Sequence, residues 1–367
     1  MKNYQWSPYV LHQGETDLLA FWDKHFTSTH RNILFIIGKG FDIRMNNILK
    51  MLQKDIYNIS LKCIVIDYPT VNDTAYTDLV SGNFKEFNEI ISKINNASFE
   101  IITHQVDRDN SGQISSFFAK DIFKMSIDVY NDVIVDISAI PRGIYYSIIN
   151  VLYSKIKNKL NSNLFIVVSE NVEIDKSIKE QSYNENITYM HGFRSAKEKQ
   201  ANQDKIKILY PILGEDKRIA LDKIYEDVIP DDICPVIPFP SKNPRRTEDL
   251  LTEYHSILKE KYQIERQNVL YGHERNPFEL YHLLMNSIST YEETMNILNG
   301  CIFVIGIMTS KLLSIGALLV GLEKKEIVSI CNLSANVYVI DNIDNLKTLN
   351  KQSEPFSMWI IGEAYEK

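Results

Sequence analysis

The chain has 367 residues, 44% hydrophobic and 24% charged, and its 47 acidic against 40 basic side chains give a net charge of −7. Domains usually run to about 100–200 residues, so this length holds one large α/β unit or two domains. The acidic balance excludes a protein that coats nucleic acid nonspecifically, although a local basic groove stays open; no apolar run reaches the roughly 18–20 residues that span a bilayer. The N-terminal residues MKNYQWSPYVLHQGETD lack the basic flank and apolar block of a secretion signal, so a cytoplasmic protein with no membrane association is expected. Cys63, Cys234, Cys301 and Cys331 stand singly. Metal sites and redox motifs need close pairing, so no metal is expected and the thiols read as reduced packing residues.

In chain order, ETDLLAFWDKHF (15–26) spaces Leu18, Leu19, Trp22 and Phe26 along one helical face, which predicts a short amphipathic helix. Seven apolar runs follow at intervals suited to strand–helix alternation: 33–38, 61–67, 99–105, 132–138, 163–170, 301–307 and 326–333. Their continuous β-branched character predicts strands covered on both faces. The expected fold is α/β, a Rossmann-like, mostly parallel doubly wound sheet with an inserted second lobe. Residues 1–189 form the Rossmann-like domain with its N-terminal helix, 190–300 the loop-rich and helical insertion, and 301–367 the return to the same sheet. No internal repeat is visible. Pro230, Pro235, Pro238, Pro240 and Pro244 crowd fifteen residues of the insertion, which predicts an extended loop over 230–245. A helix is expected over 246–262, helped at its start by Thr247 and Asp249, and a short strand at 269–272.

Three strand-to-helix turns carry candidate chemistry. Gly38-Lys39-Gly40-Phe41-Asp42 leaves the first buried run and enters a stretch with helical spacing. Glycines there allow a sharp turn and let phosphate approach a helix N-terminus. The third glycine of the dinucleotide fingerprint is replaced near Asn46, and Asp67, 27 residues after Gly40, stands where a ribose-binding acid belongs, usually about twenty residues on. The second turn is VDISAIPRG, with Asp136 and Ser138 at the strand end and Arg142 starting a helix after Pro141. A cation opposes the dipole there unless an anion lies beside it; the alternative is an ion pair of Arg142 with Asp136 or Asp67. The third is MTSKLLSIG, where Thr309, Ser310 and Lys311 offer two hydroxyls and a cation. Parallel strands bring such turns to one sheet edge, so Gly38, Gly40, Ser138, Arg142, Ser310 and Lys311 are expected to line one ligand site.

The middle region carries a separate polar set, Asn243, Arg245, Arg246, Glu274, Arg275 and Asn276, which reads either as a pocket or partner surface or as a salt-bridged face. His191 and His273 are candidate general bases or structural histidines.

Two local resemblances follow from these residues. FIIGKGFDI (35–43) resembles the opening GNGFD turn of the AbiH-type abortive-infection proteins, relatives of the sirtuin-like nucleotide-binding fold, and YMHGF (189–193) resembles their downstream His-Gly. Lys39 stands where that family has asparagine, and the segment between the motifs reads as strand–helix units where the family is mostly helical. VDISAIPRG and MTSKLLSIGALL resemble the strand-end segments of CARF domains, Rossmann-like sensors of cyclic oligonucleotides, with Met308 in place of the glycine before Thr309. The resemblances imply a nucleotide- or nucleotide-phosphate-binding protein acting as a sensor or effector in prokaryotic antiphage defence. Two alternatives stay open. One is an enzyme cleaving NAD or a nucleotide, glycohydrolase type, with Asp42 or His191 as general acid/base. The other is a noncatalytic subunit gripping a protein partner through 230–280. No cofactor is assigned, and a homo-oligomer is allowed.

Overall fold

The computed structural model describes residues 4–70, 74–105, 113–159, 161–194, 202 and 204–365. The chain runs through β1 (Val10–Gln13), α1 (Glu15–Thr27), β2 (Arg31–Gly38), α2 (Asn47–Lys50), β3 (Ile59–Asp67), α3 (Thr77–Lys93), β4 (Ala97–Thr103), α4 (Ile114–Lys124), β5 (Asp132–Asp136), α5 (Arg142–Ile156) and β6 (Asn163–Glu170). It continues through α6 (Val172–Ser177), β7 (Ile178–Tyr183), β8 (Thr188–Tyr189), β9 (Ile206–Ile212), α7 (Arg218–Val228), β10 (Asp232–Ile233), β11 (Val236–Pro238), α8 (Arg246–Ser256) and β12 (Leu270–Gly272). The last elements are α9 (Pro277–Met295), β13 (Cys301–Ile307), α10 (Lys311–Glu323), β14 (Val328–Asn332), β15 (Ala335–Ile340), α11 (Ile343–Asn350) and β16 (Glu354–Ile361). Strands β7 and β15 pair with each other.

The chain divides into two compact units, residues 8–181 with 337–367 and residues 182–336 with 1–7. In the first unit the sheet order is β1-β16-β6-β5-β2-β3-β4. Strands β2 to β6 are mutually parallel, while β16 lies antiparallel on β6 and β1 antiparallel on β16. Numbered along the chain, the five parallel strands take the order 3-2-1-4-5 of a doubly wound nucleotide-binding sheet. Their continuous apolar runs are explained by cover on both faces: Ile33 to Ile37 and Leu164 to Val168 are all buried. The helix predicted over 15–26 is α1, which sets Leu18, Trp22 and Phe26 into a core with Phe35, Ile37, Phe165 and Trp359.

The second unit repeats that topology. Its sheet order is β12-β11-β9-β13-β14-β8, and all but β8 are parallel. Taking β9 as first, the parallel strands again run 3-2-1-4-5. Helix α10 is buried from Leu312 to Gly321, so it is apolar on every face. Leu209, Leu221, Ile224, Leu250, Tyr254 and Val304 belong to one core cluster.

All seven predicted strand runs are strands, and the α/β class is correct. The expected boundaries are not. The insertion is a complete second α/β unit from 182 to 336, wider than the 190–300 lobe, and 301–307 and 328–332 join its sheet. Only 354–361 returns to the first sheet. The reason is physical: a covered parallel strand has the same composition whichever sheet it enters. Of the polar stretch before β9, residues 195–201 and 203 lie outside the described residues. The proline segment is extended as expected, yet it is an interior strand broken at Cys234-Pro235. β10 pairs with β9, and β11 lies between β9 and β12. The prolines contribute acceptors: Pro235 O takes the Leu270 N–H, and Pro238 O takes the Ser241 and Thr247 hydroxyls.

In both units a glycine at the end of the first parallel strand (Gly38) or just past it (Gly214) lies under the loop after the fourth. A Cβ on Gly38 would stand 2.8 Å from Ile140 and 2.9 Å from the Ala139 carbonyl; on Gly214 it would stand 2.1 Å from the Met308 oxygen. Gly38→Ala and Gly214→Ala should each cost about 1–3 kcal/mol through forced backbone displacement, measured as a lowered denaturation midpoint. Gly82→Ala, whose Cβ meets nothing within 4 Å, should be neutral or stabilising by up to about 1 kcal/mol. A Gly214→Ala midpoint equal to that of Gly82→Ala would contradict the close approach.

Candidate functional sites at two sheet edges

In a doubly wound sheet the chain leaves the first strand one way and the fourth the other, which opens a crevice outside their carboxyl ends. In the first unit that crevice lies between Gly38-Lys39-Gly40 and Ile137–Arg142. Asp136 and Ser138 shape it from beneath. Asp136 Oδ1 accepts the Ser138 N–H at 2.9 Å, and Ser138 Oγ accepts the Ser169 N–H at 2.8 Å. Both are buried, and these bonds set the turn. Pro141 is the N-cap of α5, which makes Arg142 its first helical residue, half-buried.

The glycine turn departs from expectation. No helix starts beside it: residues 40–46 form bends and turns, and α2 has four residues. Asp42 is the cause. Its Oδ1 accepts the Arg44 N–H and Nε, each at 3.0 Å, and Oδ2 accepts Nη2 at 2.8 Å. Arg44 also reaches Asp175 at 2.9 Å. Burial alone would lower the Arg44 pKa, but Asp175 and Asp42 overcome it and hold the guanidinium well above its ordinary range. Asn83 Nδ2 donates to the Gly40 and Asp42 carbonyls at 2.9 and 3.0 Å, which turns them toward α3. Asp42 is therefore a structural anchor, and its expected acid/base role has no support here.

Lys39 and Asp67 meet across the ends of β2 and β3, Nζ to Oδ2 at 3.1 Å. Thr103 Oγ1 adds a bond to the same oxygen at 3.2 Å, and the His104 N–H donates to the Asp67 carbonyl at 3.0 Å. His104 Nε2 lies 2.6 Å from Asp121 Oδ2. This His–Asp pair escaped the sequence reading, because nothing in the spacing of 104 and 121 marks it before β4 and α4 are placed.

The second unit builds its edge from Gly214-Glu215 and Met308–Lys311. Ser310 caps α10, its Oγ accepting the Leu313 N–H at 3.2 Å, so the hydroxyl serves the helix N-terminus. Thr309 is buried and Lys311 is the first helical residue, half-buried. Beside this turn, Arg246 grips Glu215 through Nε and Nη2, both at 2.7 Å, and Glu274 through Nη1. Arg246 and Glu274 are 6% and 5% exposed, so two of the expected polar loop residues form a buried ion pair, which the half-buried Glu215 extends to a triad. Burial pulls the Arg246 pKa down, and Glu215 with Glu274 push it above its ordinary value. Asn276 caps α9 by accepting from Phe278 and Glu279 N–H groups, and His273 Nδ1 accepts the Arg275 N–H at 3.2 Å. Lys242 and Arg245 remain exposed on this rim.

The expected single site is thus divided. Gly38, Lys39, Gly40, Asp67, Asp136, Ser138 and Arg142 belong to the first sheet edge; Thr309, Ser310 and Lys311 belong to the second. His191 joins neither: it sits in the 190–193 turn, where Met190 N–H and Phe193 C=O bond to Ile330 along β14. The four cysteines are buried, and burial raises the Cys234 and Cys301 thiols to about 11, which keeps them protonated and unreactive.

No family model and no curated protein matches this chain. Among solved structures it is similar to a protein assigned as a universal stress protein from Pseudomonas aeruginosa UCBPP-PA14, at 11% identity and TM-score 0.25, covering 88% of this chain and 97% of that one. It is also similar to a universal stress protein from Archaeoglobus fulgidus DSM 4304, at 12% identity and TM-score 0.23, covering 81% and 95%. A third is UDP-GlcNAc 2-epimerase from Neisseria meningitidis bound to UDP-GlcNAc, at 13% identity and TM-score 0.25, covering 87% and 94%. At such scores the likeness carries no argument about a ligand. Among the described residues no helix is long and apolar enough to cross a membrane.

The triad yields a direct prediction. Arg246→Met leaves the buried Glu274 charge uncompensated and should cost about 3–5 kcal/mol, while adding Glu274→Gln should restore much of it. Denaturation midpoints of the single and double variants check this; equal losses in both would show that Glu274 does not depend on Arg246.

Proposed function

We propose that this chain is a nucleotide-binding protein whose two α/β units each take a phosphate-bearing ligand in the crevice between the first and fourth strands. One observation carries the reading: the same constellation occurs twice on unrelated sequence. In each unit a glycine at or just past the end of the first strand lies under the loop after the fourth, and the helix entered from that loop begins with a cation, Arg142 or Lys311. A cation in the first turn opposes the helix dipole. Its recurrence at topologically equivalent places favours an anion held jointly by the side chain and the helix N–H groups. The role in prokaryotic defence rests on the local motif resemblances alone.

The two edges differ in charge. Beside Arg142 the first edge carries Lys39 with Asp67 and Arg44 with Asp42 and Asp175. The second carries Arg246 with Glu215 and Glu274, and Lys242 and Arg245 are exposed on the loop that leads into α8.

Calorimetric titration with ADP tests the reading. Arg142→Ala and Lys311→Ala each remove one charge-assisted hydrogen bond and should weaken one site by about 1.5–3 kcal/mol, roughly ten- to a hundredfold, at unchanged melting temperature. Unchanged binding with a lowered melting temperature would make the cations structural and overturn the phosphate sites.

A further inference from the structure

We propose that two copies of this chain join along the open side of β4, which pairs antiparallel with its copy about a two-fold axis. The first sheet then runs on from one copy into the other. Three of the four outer strands of the two large sheets are short: β1 has four residues, β12 three and β8 two. β4 is the exception. It has seven residues, pairs with β3 alone among the described residues, keeps its register without a bulge and contains neither lysine nor proline. Proteins guard an open strand with just those devices, because its row of unpaired N–H and C=O groups recruits another strand.

The backbone of β4 faces two ways. The Leu61 N–H donates to the Asn96 carbonyl and the His104 N–H to the Asp67 carbonyl, so the even-numbered residues between them turn their N–H and C=O groups to β3. Ala97, Phe99, Ile101 and Thr103 turn theirs outward. An antiparallel copy meets that row with an identical one, and each N–H finds a carbonyl. The side chains favour the same match. Phe99 lies against Phe84 and Phe87 of α3, ring centres 6.3 and 5.3 Å away, yet Phe99 and Ile101 remain 37% and 39% exposed. Glu100, the one charged residue of β4, points to the opposite face and has Lys62 at 3.5 Å. It does not guard the apolar pair.

Helix α3 adds complementary charge. Ser81, Phe84, Lys85, Asn88, Glu89 and Ser92 line a groove along it, at the three- and four-residue spacing of a single stripe. The stripe lies beside β4, since Phe84 meets Phe99. Lys85 and Glu89 stand one turn apart in it, and neither is ion-paired among the described residues. Two such stripes run antiparallel across the axis, so each Lys85 faces Glu89 of the second copy, and the small Ser81, Asn88 and Ser92 let the helices approach. A second copy therefore matches this surface in backbone, apolar area and charge.

Sedimentation of the full chain tests the proposal, together with amide exchange read residue by residue. The wild type should sediment as a dimer at about 100 μM and dissociate on dilution. Ile101→Lys sets like charges together on the open side and should weaken the dimer about a hundredfold. Ile297→Lys, at an exposed apolar position of the second unit, should leave it intact. Lys85→Glu and Glu89→Lys should each weaken the dimer about tenfold, and combining them should restore it, because the exchanged charges again face their opposites. In the wild-type dimer the Phe99 and Thr103 N–H groups should exchange slowly, and in Ile101→Lys quickly, while those of Glu100 and Ile102 stay slow in both. A wild type that is monomeric at that concentration, a dimer that survives Ile101→Lys, or charge variants that do no better combined than singly would each overturn the proposal. Should Ile101→Lys fail to fold, the charge variants on the exposed side of α3 decide the matter.

Discussion

Everything at the two candidate sites depends on one close contact, a glycine without a side chain lying beneath the backbone of the loop that follows the fourth parallel strand. At Gly214 the space for a Cβ is already taken by the Met308 carbonyl, and at Gly38 by the Ala139 peptide and Ile140. Because the loop comes down onto the glycine, the next helix starts at the sheet edge, which fixes where Arg142 and Lys311 sit. The contact therefore links packing to electrostatics: steric permission at one residue determines where a charge is presented.

The two edges stabilise themselves differently. At the first, a buried Arg44 gathers Asp42 and Asp175, which secures the 41–46 turn to α6 and takes the place of a long helix after the glycines. At the second, Arg246 joins Glu215 after β9 to Glu274 after β12, so one side chain ties the first strand's exit to the third's across the intervening β11. Each arrangement buries charge, which is expensive unless every carboxylate and guanidinium nitrogen is matched. Such networks hold strand-end loops in one geometry, and that is what a ligand site on loops requires.

The strands were legible because covered parallel strands need continuous apolar runs, and 33–38, 163–170 and 301–307 have them. β9 was not, since Lys207 and Pro211 interrupt its apolar run, and its burial comes from neighbours on both sides in the sheet. β16 was missed for a related reason, an antiparallel strand with Ser357 buried among apolar residues. Missing β9 removed the first strand of the second sheet, and with it the repeat. The turn residues were found by type, but their grouping was wrong, because a strand-to-helix turn carries no mark of which sheet it ends. Asp42, expected as an acid/base, and Ser310, expected to line a ligand site, satisfy local backbone and cap bonds; polar residues beside turns compete for just such bonds. His104 and Asp121 were invisible, since their meeting depends on how α4 packs beside β4.

The claim of two ligand edges is tested most directly by amide hydrogen exchange of the full chain with and without saturating ADP. The account predicts slowed exchange at 38–42 with 138–143 and, separately, at 214–216 with 308–313, while the amides of α1 and β16 stay unchanged. Protection confined to other segments, or none at either edge under conditions where ADP is bound, would contradict it.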